Sequence, residues 1–382
     1  MCKILSLLIL TVLCLTSFSQ SNPTQYLEKN RYSFSIDTGF DKASVDTLCN
    51  KFKDFRLILQ AEGGSHYLKF YNKLQLIWTK LLSEKLEMKS IFLEFGAPAA
   101  ICVNKYLTTG DSTKLYNSLN LGNKPNMELW KPYFKLNKNL NSKITFFGID
   151  FNRPSSYLKA LKLLLPEKVP PETLQNAISI IKNGDEKIND CSYIQEINSR
   201  LGKELKNNKQ ELLKYLGSNY YDFERIILNK GTCNDERKNR NYNMVDNFLS
   251  YDTYSNDKIY YGELGMAHTI LKNKVFASVL NMTEKFKNKV CVINLYCYNC
   301  TTPQEKVSNY SLNGIEKDIL DYFIPLCNTD FTIFDLSGSS TLISKYKEYG
   351  QFLIIAKNQN WVKTAHNNAF GNMVADGSPI SI

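Results

Sequence analysis

Several signatures of common enzyme classes are missing from this sequence of 382 residues. There is no G-x-S-x-G segment, which disfavours a serine hydrolase built around a nucleophile elbow. There is also no H-E-x-x-H segment, no P-loop, and no G-x-G-x-x-G segment after a predicted strand. These absences disfavour the zinc and nucleotide sites that such motifs form. The chemistry therefore has to be sought in residues that are far apart in the chain.

Long apolar runs and clustered positive charge are also scarce. After residue 20, no apolar run is long enough to cross a bilayer. The net charge of +10 is spread over lysine- and asparagine-rich segments such as 203–214, without an arginine-rich stripe interleaved with aromatic residues. We therefore expect a mature protein with no transmembrane segment and no nucleic-acid partner.

The amino terminus is typical of a secretory signal. Lys3 precedes a short apolar segment, and Ser17 and Ser19 supply small residues at the −3 and −1 positions of a cleavage site. We predict that residues 1–19 are removed and that the protein is exported to the periplasm or the extracellular space. Lipidation at Cys14 is an alternative, although the bulky Leu13 before it disfavours this modification.

The cysteines fit an exported protein. The chain has ten cysteines, and Cys297 and Cys300 form a C-x-x-C pair. Neither a second such pair nor a nearby histidine completes a zinc site. In an oxidising compartment, a structural disulfide or buried thiols are favoured over a redox or metal site.

Short apolar runs rich in β-branched and aromatic residues predict the strands of the fold. Most of these runs are apolar on both faces, a pattern typical of central strands that helices cover on both sides. Longer amphipathic segments separate them, which predicts an α/β protein with a largely parallel central sheet flanked by helices. The predicted strands are 56–62, 89–95, 143–150, 258–263, 290–296, 331–336 and 352–357.

The long interval between the third and fourth predicted strands has a helical pattern throughout. We expect a single domain over residues 20–382, with a helical insertion over about 154–256 that forms a lid or one wall of a cleft. The helices predicted for this insertion are 155–165, 171–183, 188–207, 209–216, 220–229 and 235–249.

Four consecutive predicted strands carry a carboxylate at their carboxyl ends. Parallel strands present these ends at one edge of the sheet, where ligands of open α/β sheets bind. Buried carboxylates are costly unless they are paired, protonated or bound to a ligand. If these carboxylates do not form a site, Glu62 and Glu94 would cap the helices that follow them, and Asp150 and Glu263 would form ion pairs in loops. The four residues are Glu62, Glu94, Asp150 and Glu263.

Two of the three histidines follow these strand ends. His66 and His268 each come after a glycine-containing turn, whereas His366 lies in a polar carboxyl-terminal stretch and is expected at the surface. A histidine beside a carboxylate can be held in one tautomer, ready to take a proton from water. The matched positions of His66 and His268 predict one active site that performs hydrolysis, although two histidines with several carboxylates would also suit zinc.

Four ordered motifs accompany these residues and extend over about residues 50–360. The motifs are the segment 61–66 with Glu62 and His66, Leu93-Glu94 followed by Asn104, Tyr106 and Gly110, Gly148-Ile149-Asp150, and Arg240, Met244 and Asn247 ahead of His268. In this order they resemble the erythromycin esterase-like family.

This resemblance implies a metal-independent hydrolase without a cofactor, acting on an ester bond of a small or medium-sized molecule. His66 would be the general base that activates water, and Glu62 and Glu94 would orient it or the water. His268 would stabilise the developing oxyanion or assist the leaving group. Arg240 would pair with the carboxylates or contact the substrate. The expected substrate-binding residues are Arg240, Asp150, Glu263 and Lys73.

The sequence also departs from the family pattern. Glu62 precedes His66 by four residues rather than three, and Ala61 replaces a glycine. Where the family has an arginine on the following helix, only Lys73 or Gln75 is nearby, and lysine cannot reproduce the bidentate arginine fork. A catalytically inactive ligand-binding protein and a metal-dependent hydrolase therefore remain alternatives.

Overall fold

The computed structural model describes residues 23–62, 70–116, 127–186, 188, 190–231, 239–301, 307–310, 316–338, 346 and 349–359. The predicted signal segment 1–19, His66 and His366 lie outside these residues. The proposed relation between His66 and His268 therefore stays a prediction.

The described residues form one mixed sheet of ten strands. The strands are β1 (Arg31–Ser35), β2 (Gly39–Phe40), β3 (Leu57–Glu62), β4 (Ser90–Gly96), β5 (Thr145–Asp150), β6 (Tyr260–Gly265), β7 (Val290–Thr301), β8 (Val307–Tyr310), β9 (Phe331–Asp335) and β10 (Phe352–Lys357). Their order is β2-β1-β9-β10-β7-β3-β6-β4-β5, and β8 pairs with β7. Strands β10, β7, β3, β6, β4 and β5 run parallel, and β1, β2, β8 and β9 pair in antiparallel fashion.

The α/β class and the largely parallel sheet predicted from the sequence are confirmed. All seven predicted strands are present, and β7 extends beyond its predicted end. The short strands β1, β2 and β8 were not predicted. β1 has one buried residue, so it lacks the apolar pattern on both faces that identified the central strands.

Helices cover both faces of the sheet. Ile91 belongs to one core together with Trp78, and its neighbour Phe92 packs against Phe248 on the other face. This alternation follows from the period of two in a β-strand. The α-helices are α1 (Pro23–Lys29), α2 (Lys42–Phe52), α3 (Tyr71–Leu86), α4 (Ala97–Thr109), α5 (Thr113–Tyr116), α6 (Met127–Asn139), α7 (Pro154–Leu164), α8 (Gln175–Asn183), α9 (Cys191–Asn207), α10 (Lys209–Leu216), α11 (Tyr220–Leu228), α12 (Arg240–Ser255), α13 (Met266–Thr269), α14 (Phe276–Met282) and α15 (Glu316–Asp318).

The interval between β5 and β6 contains helices α7 to α12 and no strand in its described residues. The core of these helices includes Leu161, Ile197 and Phe223, and it extends to Ile101 of α4. The helical part is therefore packed onto the layer that covers the sheet. Within the described ranges, no helix is both long enough and apolar enough to cross a membrane.

The C-x-x-C pair forms a disulfide. Cys297 and Cys300 are joined across an irregularity in β7, and both are buried. Among the described cysteines, the free thiols are also buried. These thiols are Cys49, Cys102, Cys291 and Cys327.

Candidate functional site

The carboxylates of the four strand ends lie on neighbouring strands. The strand order β3-β6-β4-β5 arranges them as Glu62, Glu263, Glu94 and Asp150 along one edge of the sheet. Their order in space differs from their order in the chain, because β6 is inserted between β3 and β4. The prediction that these strands present their carboxyl ends together is confirmed.

The strand register divides these carboxylates between the two faces of the sheet. Glu263 of β6 lies opposite Gln60 of β3 and Leu93 of β4. Because side chains alternate along a strand, Glu62 lies on the same face as Glu263, and Glu94 points to the opposite face. The site therefore consists of a buried acid pair on one face and a second cluster around Glu94 on the other.

The cluster around Glu94 is organised by Arg240, the first residue of α12. Its Nε donates to Asp150 Oδ1 at 3.0 Å, and its Nη2 donates to Asp150 Oδ2 at 2.8 Å. The same Nη2 donates to Glu94 Oε1 at 2.6 Å. This is a bidentate fork on one carboxylate with a further charge-assisted bond to a second carboxylate. The ion pairs that the resemblance implied for Arg240 are thus present.

These ion pairs are largely shielded from solvent. The side chains of Asp150, Glu94 and Arg240 are only 1%, 12% and 16% exposed. Burial alone lowers the pKa of Arg240, but the hydrogen bond and charge of Asp150, followed by those of Glu94, raise it above its usual value. The guanidinium therefore stays charged. Arg153 lies 3.9 Å from Asp150 Oδ2 and adds a second, more exposed positive charge.

Two glycines let β4 and β5 come close at this edge. A Cβ atom on Gly148 would lie 2.2 Å from the carbonyl carbon of Gly96, so the close approach requires a residue without a side chain. The pairing of β4 with β5 is irregular between Leu93 and Gly96. Gly148 of the Gly-x-Asp motif therefore helps to bring Asp150 to the guanidinium that also binds Glu94.

His268 borders the same cluster. It lies in α13, which begins directly after β6. Its Nε2 is 3.3 Å from Arg240 Nη1 and 3.6 Å from Glu94 Oε1, and its Nδ1 is 2.7 Å from Asn241 Oδ1. The second oxygen of Glu94 accepts a hydrogen bond from the backbone N–H of Gly265 at 3.0 Å. Glu94 therefore connects the arginine, the histidine and the end of β6.

Glu62 and Glu263 form the second group, on the opposite face. They are 5% and 2% exposed. Burial, the charge of Glu62 and a hydrogen bond with Glu62 raise the pKa of Glu263 well above its usual value, whereas a hydrogen bond from Gln75 opposes this shift. Its raised pKa therefore favours the protonated form of Glu263 beside the charge of Glu62. It is a buried acid rather than a member of a loop ion pair.

Lys73 has a different environment from the other predicted site residues. Its exposed side chain forms a salt bridge of 2.5 Å with Asp37, which is also exposed. Gln75, on the same helix α3, is buried and contacts Glu263. Of the two residues near the position of the family's arginine, the neutral one therefore reaches the carboxyl groups.

Asn241 is a site residue that was not predicted from the sequence. Its side-chain oxygen Oδ1 contacts His268 Nδ1 and also accepts a hydrogen bond from the backbone N–H of Phe276 at 3.0 Å. Its position directly after Arg240 was the one signal available, and no spacing rule assigns a role to such a residue.

Among the described residues, no three or more His, Cys, Asp or Glu side chains are grouped as a metal site requires.

Comparison with known proteins gives matches only among solved structures. No protein-family model and no curated protein matches the chain. A protein from Bacillus cereus is 14% identical with a TM-score of 0.64, and the match covers 89% of this chain and 98% of that one. A mutant of the erythromycin esterase EreC in its open conformation is 13% identical with a TM-score of 0.56, covering 86% and 97%. A succinoglycan biosynthesis protein is 10% identical with a TM-score of 0.63, covering 90% and 98%.

At these levels of identity, the matches define the fold. The chain has the fold of the erythromycin esterase EreC over most of its length. The fold implied by the ordered motifs is therefore confirmed.

Proposed function

We propose that this protein is an exported hydrolase that cleaves an ester bond in a small or medium-sized molecule, using water activated by His66 and no metal. The observation that carries the proposal is the cluster of Arg240, Glu94, Asp150 and His268 at the carboxyl edge of the sheet. The shared fold with an erythromycin esterase supports the same class of reaction.

Ester hydrolysis requires a base for water and a positive or hydrogen-bonding group for the developing oxyanion. In this proposal, His66 is the base, and Glu62, at the end of β3 four residues earlier, orients it. The guanidinium of Arg240 supplies fixed positive charge in a partly buried setting, where it acts more strongly than in water. His268 lies against that guanidinium and assists the leaving group or the oxyanion.

The first test uses all three histidines. The mature chain is assayed on a panel of activated esters, together with the variants His66→Ala, His268→Ala and His366→Ala. We expect His66→Ala to abolish turnover and His268→Ala to reduce it, whereas His366→Ala, the matched control, retains wild-type activity. Wild-type turnover no faster than that of both His66→Ala and His268→Ala would contradict the proposal.

The second test addresses metal. Elemental analysis of protein purified without chelator, and assays in EDTA, separate the proposal from the metal-dependent alternative. We expect no stoichiometric metal and unchanged ester turnover in EDTA. Loss of turnover in EDTA that added zinc restores would support the alternative in which His268 and the carboxylates bind the metal.

One observation favours a second candidate, an inactive protein that binds a ligand on the same fold. Lys73 is engaged with Asp37 at the surface, and the neutral Gln75 contacts Glu263. Within the described residues of α3, a neutral amide therefore contacts Glu263 where the family pattern has a positively charged arginine. Absence of turnover, together with a ligand that binds His66→Ala as tightly as the wild type, would favour this candidate.

A further inference from the structure

We infer that Asn241 is a positioning residue that holds His268 as the neutral imidazole tautomer with its proton on Nδ1 and none on Nε2. The geometric part of this inference concerns the resting protein. Its consequence for turnover rests on the proposed hydrolase function.

The orientation of the Asn241 amide follows from a backbone group. The N–H of Phe276 donates to Asn241 Oδ1 at 3.0 Å. A backbone N–H can only donate, so the oxygen of the amide, and not its NH₂ group, must face Phe276. This removes the usual ambiguity between the two ends of an asparagine side chain.

The same oxygen determines the proton position on His268. Asn241 Oδ1 lies 2.7 Å from His268 Nδ1. A carbonyl oxygen has no hydrogen to donate, so a hydrogen bond at this distance requires the proton to be on Nδ1. The first ring nitrogen is therefore assigned as the donor.

The second ring nitrogen is assigned independently by Arg240. Its Nη1 lies 3.3 Å from His268 Nε2. A guanidinium can only donate, and the hydrogen bonds to Asp150 and Glu94 fix its plane. Nε2 therefore presents its lone pair to Arg240. A proton on Nδ1 and none on Nε2 is the neutral imidazole, so both contacts agree on one tautomer.

The local structure makes this arrangement stiff. Arg240 and Asn241 are the first two residues of α12, and Phe276 is the first residue of α14. Two consecutive residues of one helix thus hold the two nitrogens of His268 from different sides. The asparagine also ties the start of α14 to the start of α12 through the Phe276 N–H.

This tautomer limits what His268 can do in the proposed reaction. An unprotonated Nε2 accepts a proton and does not donate one. His268 can therefore protonate a leaving group only after Nε2 has taken up the proton that His66 removes from the attacking water. Glu94 Oε1, 3.6 Å from Nε2, would then stabilise the imidazolium. Before that step, Arg240 Nη1 donates a hydrogen bond to Nε2.

The test is a long-range ¹H–¹⁵N correlation spectrum of the imidazole groups in the mature protein, recorded at a pH where they are neutral. Because the chain has three histidines, His66→Gln and His366→Gln assign the signals of His268. We expect the pattern of a protonated Nδ1 and an unprotonated Nε2. A protonated Nε2 in the wild type would overturn the inference.

Substitutions then test the role of the amide. Asn241→Ala is expected to raise the population of the Nε2-protonated tautomer, whereas Asn241→Asp, which keeps the acceptor oxygen, retains the wild-type pattern. Asn243→Ala on the same helix is the matched control. A tautomer ratio in Asn241→Ala equal to that in the control contradicts the inference. If Asn241→Ala does not fold, loss of the Nδ1 proton in Asn241→Asp contradicts it.

Turnover supplies a separate readout. If the proposed hydrolase function holds, Asn241→Ala lowers kcat by about 10–100-fold with little change in KM, as expected for a residue that orients a functional histidine. Asn241→Asp retains more activity than Asn241→Ala. The spectrum requires no substrate, so failure of the hydrolase proposal leaves the tautomer assignment intact, and the two failures are distinguishable.

Discussion

The guanidinium of Arg240 is the charge on which two nearly buried carboxylates depend. Asp150 and Glu94 both receive its hydrogen bonds. A buried ion pair contributes little by itself, because desolvation offsets its Coulombic energy, but removing one partner strands the other charges. A change at Arg240 is therefore expected to affect both the free energy of unfolding and the geometry of the site.

Arg240→Met is expected to lower the free energy of unfolding by about 3–5 kcal/mol, because it removes the buried guanidinium that donates hydrogen bonds to both Asp150 and Glu94. Arg153→Met is the matched control, since Arg153 is more exposed and lies 3.9 Å from Asp150. That change is expected to cost within about 1 kcal/mol. Urea denaturation of both variants measures the difference, and equal losses would contradict the assigned role of Arg240.

The acid pair on the other face predicts a pH dependence of stability. The pKa of Glu263 is raised well above its usual value near 4.5 by burial, by the charge of Glu62 and by their hydrogen bond. In the unfolded chain Glu263 loses its proton above about pH 4.5, whereas the raised pKa of the folded protein moves this loss to a higher pH. Its contribution to stability is thus full below about pH 4.5 and falls as pH rises toward the folded pKa, by at most about 1.4 kcal/mol per pH unit.

Glu263→Gln is expected to flatten this dependence, because the amide has no proton to lose. The measurement is the free energy of unfolding at about pH 5 and about pH 8, for the wild type and the variant. Glu284→Gln, which changes an exposed glutamate, serves as the control and is expected to retain the wild-type slope. A wild-type slope in Glu263→Gln would show that Glu263 is not the group responsible.

At the scale of elements, asparagine side chains complete the open edge of the sheet. β5 is the last strand in the sheet order, so among the described residues no strand lies beside one edge of its backbone. Asn104 of α4 donates to the carbonyl of Phe146 at 2.8 Å and accepts from its N–H at 2.8 Å. Asn247 of α12 donates to the carbonyl of Ile149 at 2.9 Å, and Asn229 donates to that of Asp150 at 3.0 Å. These amides satisfy edge groups that would otherwise be left unpaired.

Asn104→Ala is expected to lower the free energy of unfolding by about 1–3 kcal/mol, because both backbone groups of Phe146 lose their partner in a mostly buried setting. Thr108→Ala, one turn later on the same helix, removes an exposed hydrogen bond to the Asn104 carbonyl and is the control. Urea denaturation compares the two variants. An effect of Asn104→Ala as small as that of the control would contradict the role of this amide at the strand edge.

At the scale of the whole molecule, the helical insertion and the sheet share packing through α4. Ile101 and Ala97 of α4 belong to the same core as Ile178 of α8. Helix α4 also contacts the sheet strand β5 through the two hydrogen bonds of Asn104. We therefore expect the insertion and the sheet to unfold together.

Ile178→Ala tests this cooperativity. The change deletes buried volume within the insertion and is expected to lower stability by about 2–5 kcal/mol. The three tryptophans lie outside residues 154–256, so their fluorescence reports on the remainder of the chain, whereas far-UV circular dichroism includes the insertion helices. We expect both probes to give the same lowered midpoint. A fluorescence midpoint unchanged from the wild type would show that the two parts unfold independently.

The sequence alone determined the central strands of this protein and the carboxylates at their ends. Apolar runs on both faces identified β3 to β7, β9 and β10, because burial of a central strand leaves a local pattern. The same local order placed Glu62, Glu94, Asp150 and Glu263 at strand ends. The motifs were sufficient to predict the fold shared with an erythromycin esterase.

Only the tertiary structure decided how these groups combine. The insertion of β6 between β3 and β4, together with the strand register, pairs Glu263 with Glu62 and sends Glu94 to the opposite face. Arg240 reaches Asp150 across 90 residues of chain, and Asn241 reaches His268 across 27. Strand order and helix docking depend on contacts between segments that are distant in the chain. The residue pattern within one segment does not specify which other segments it packs against.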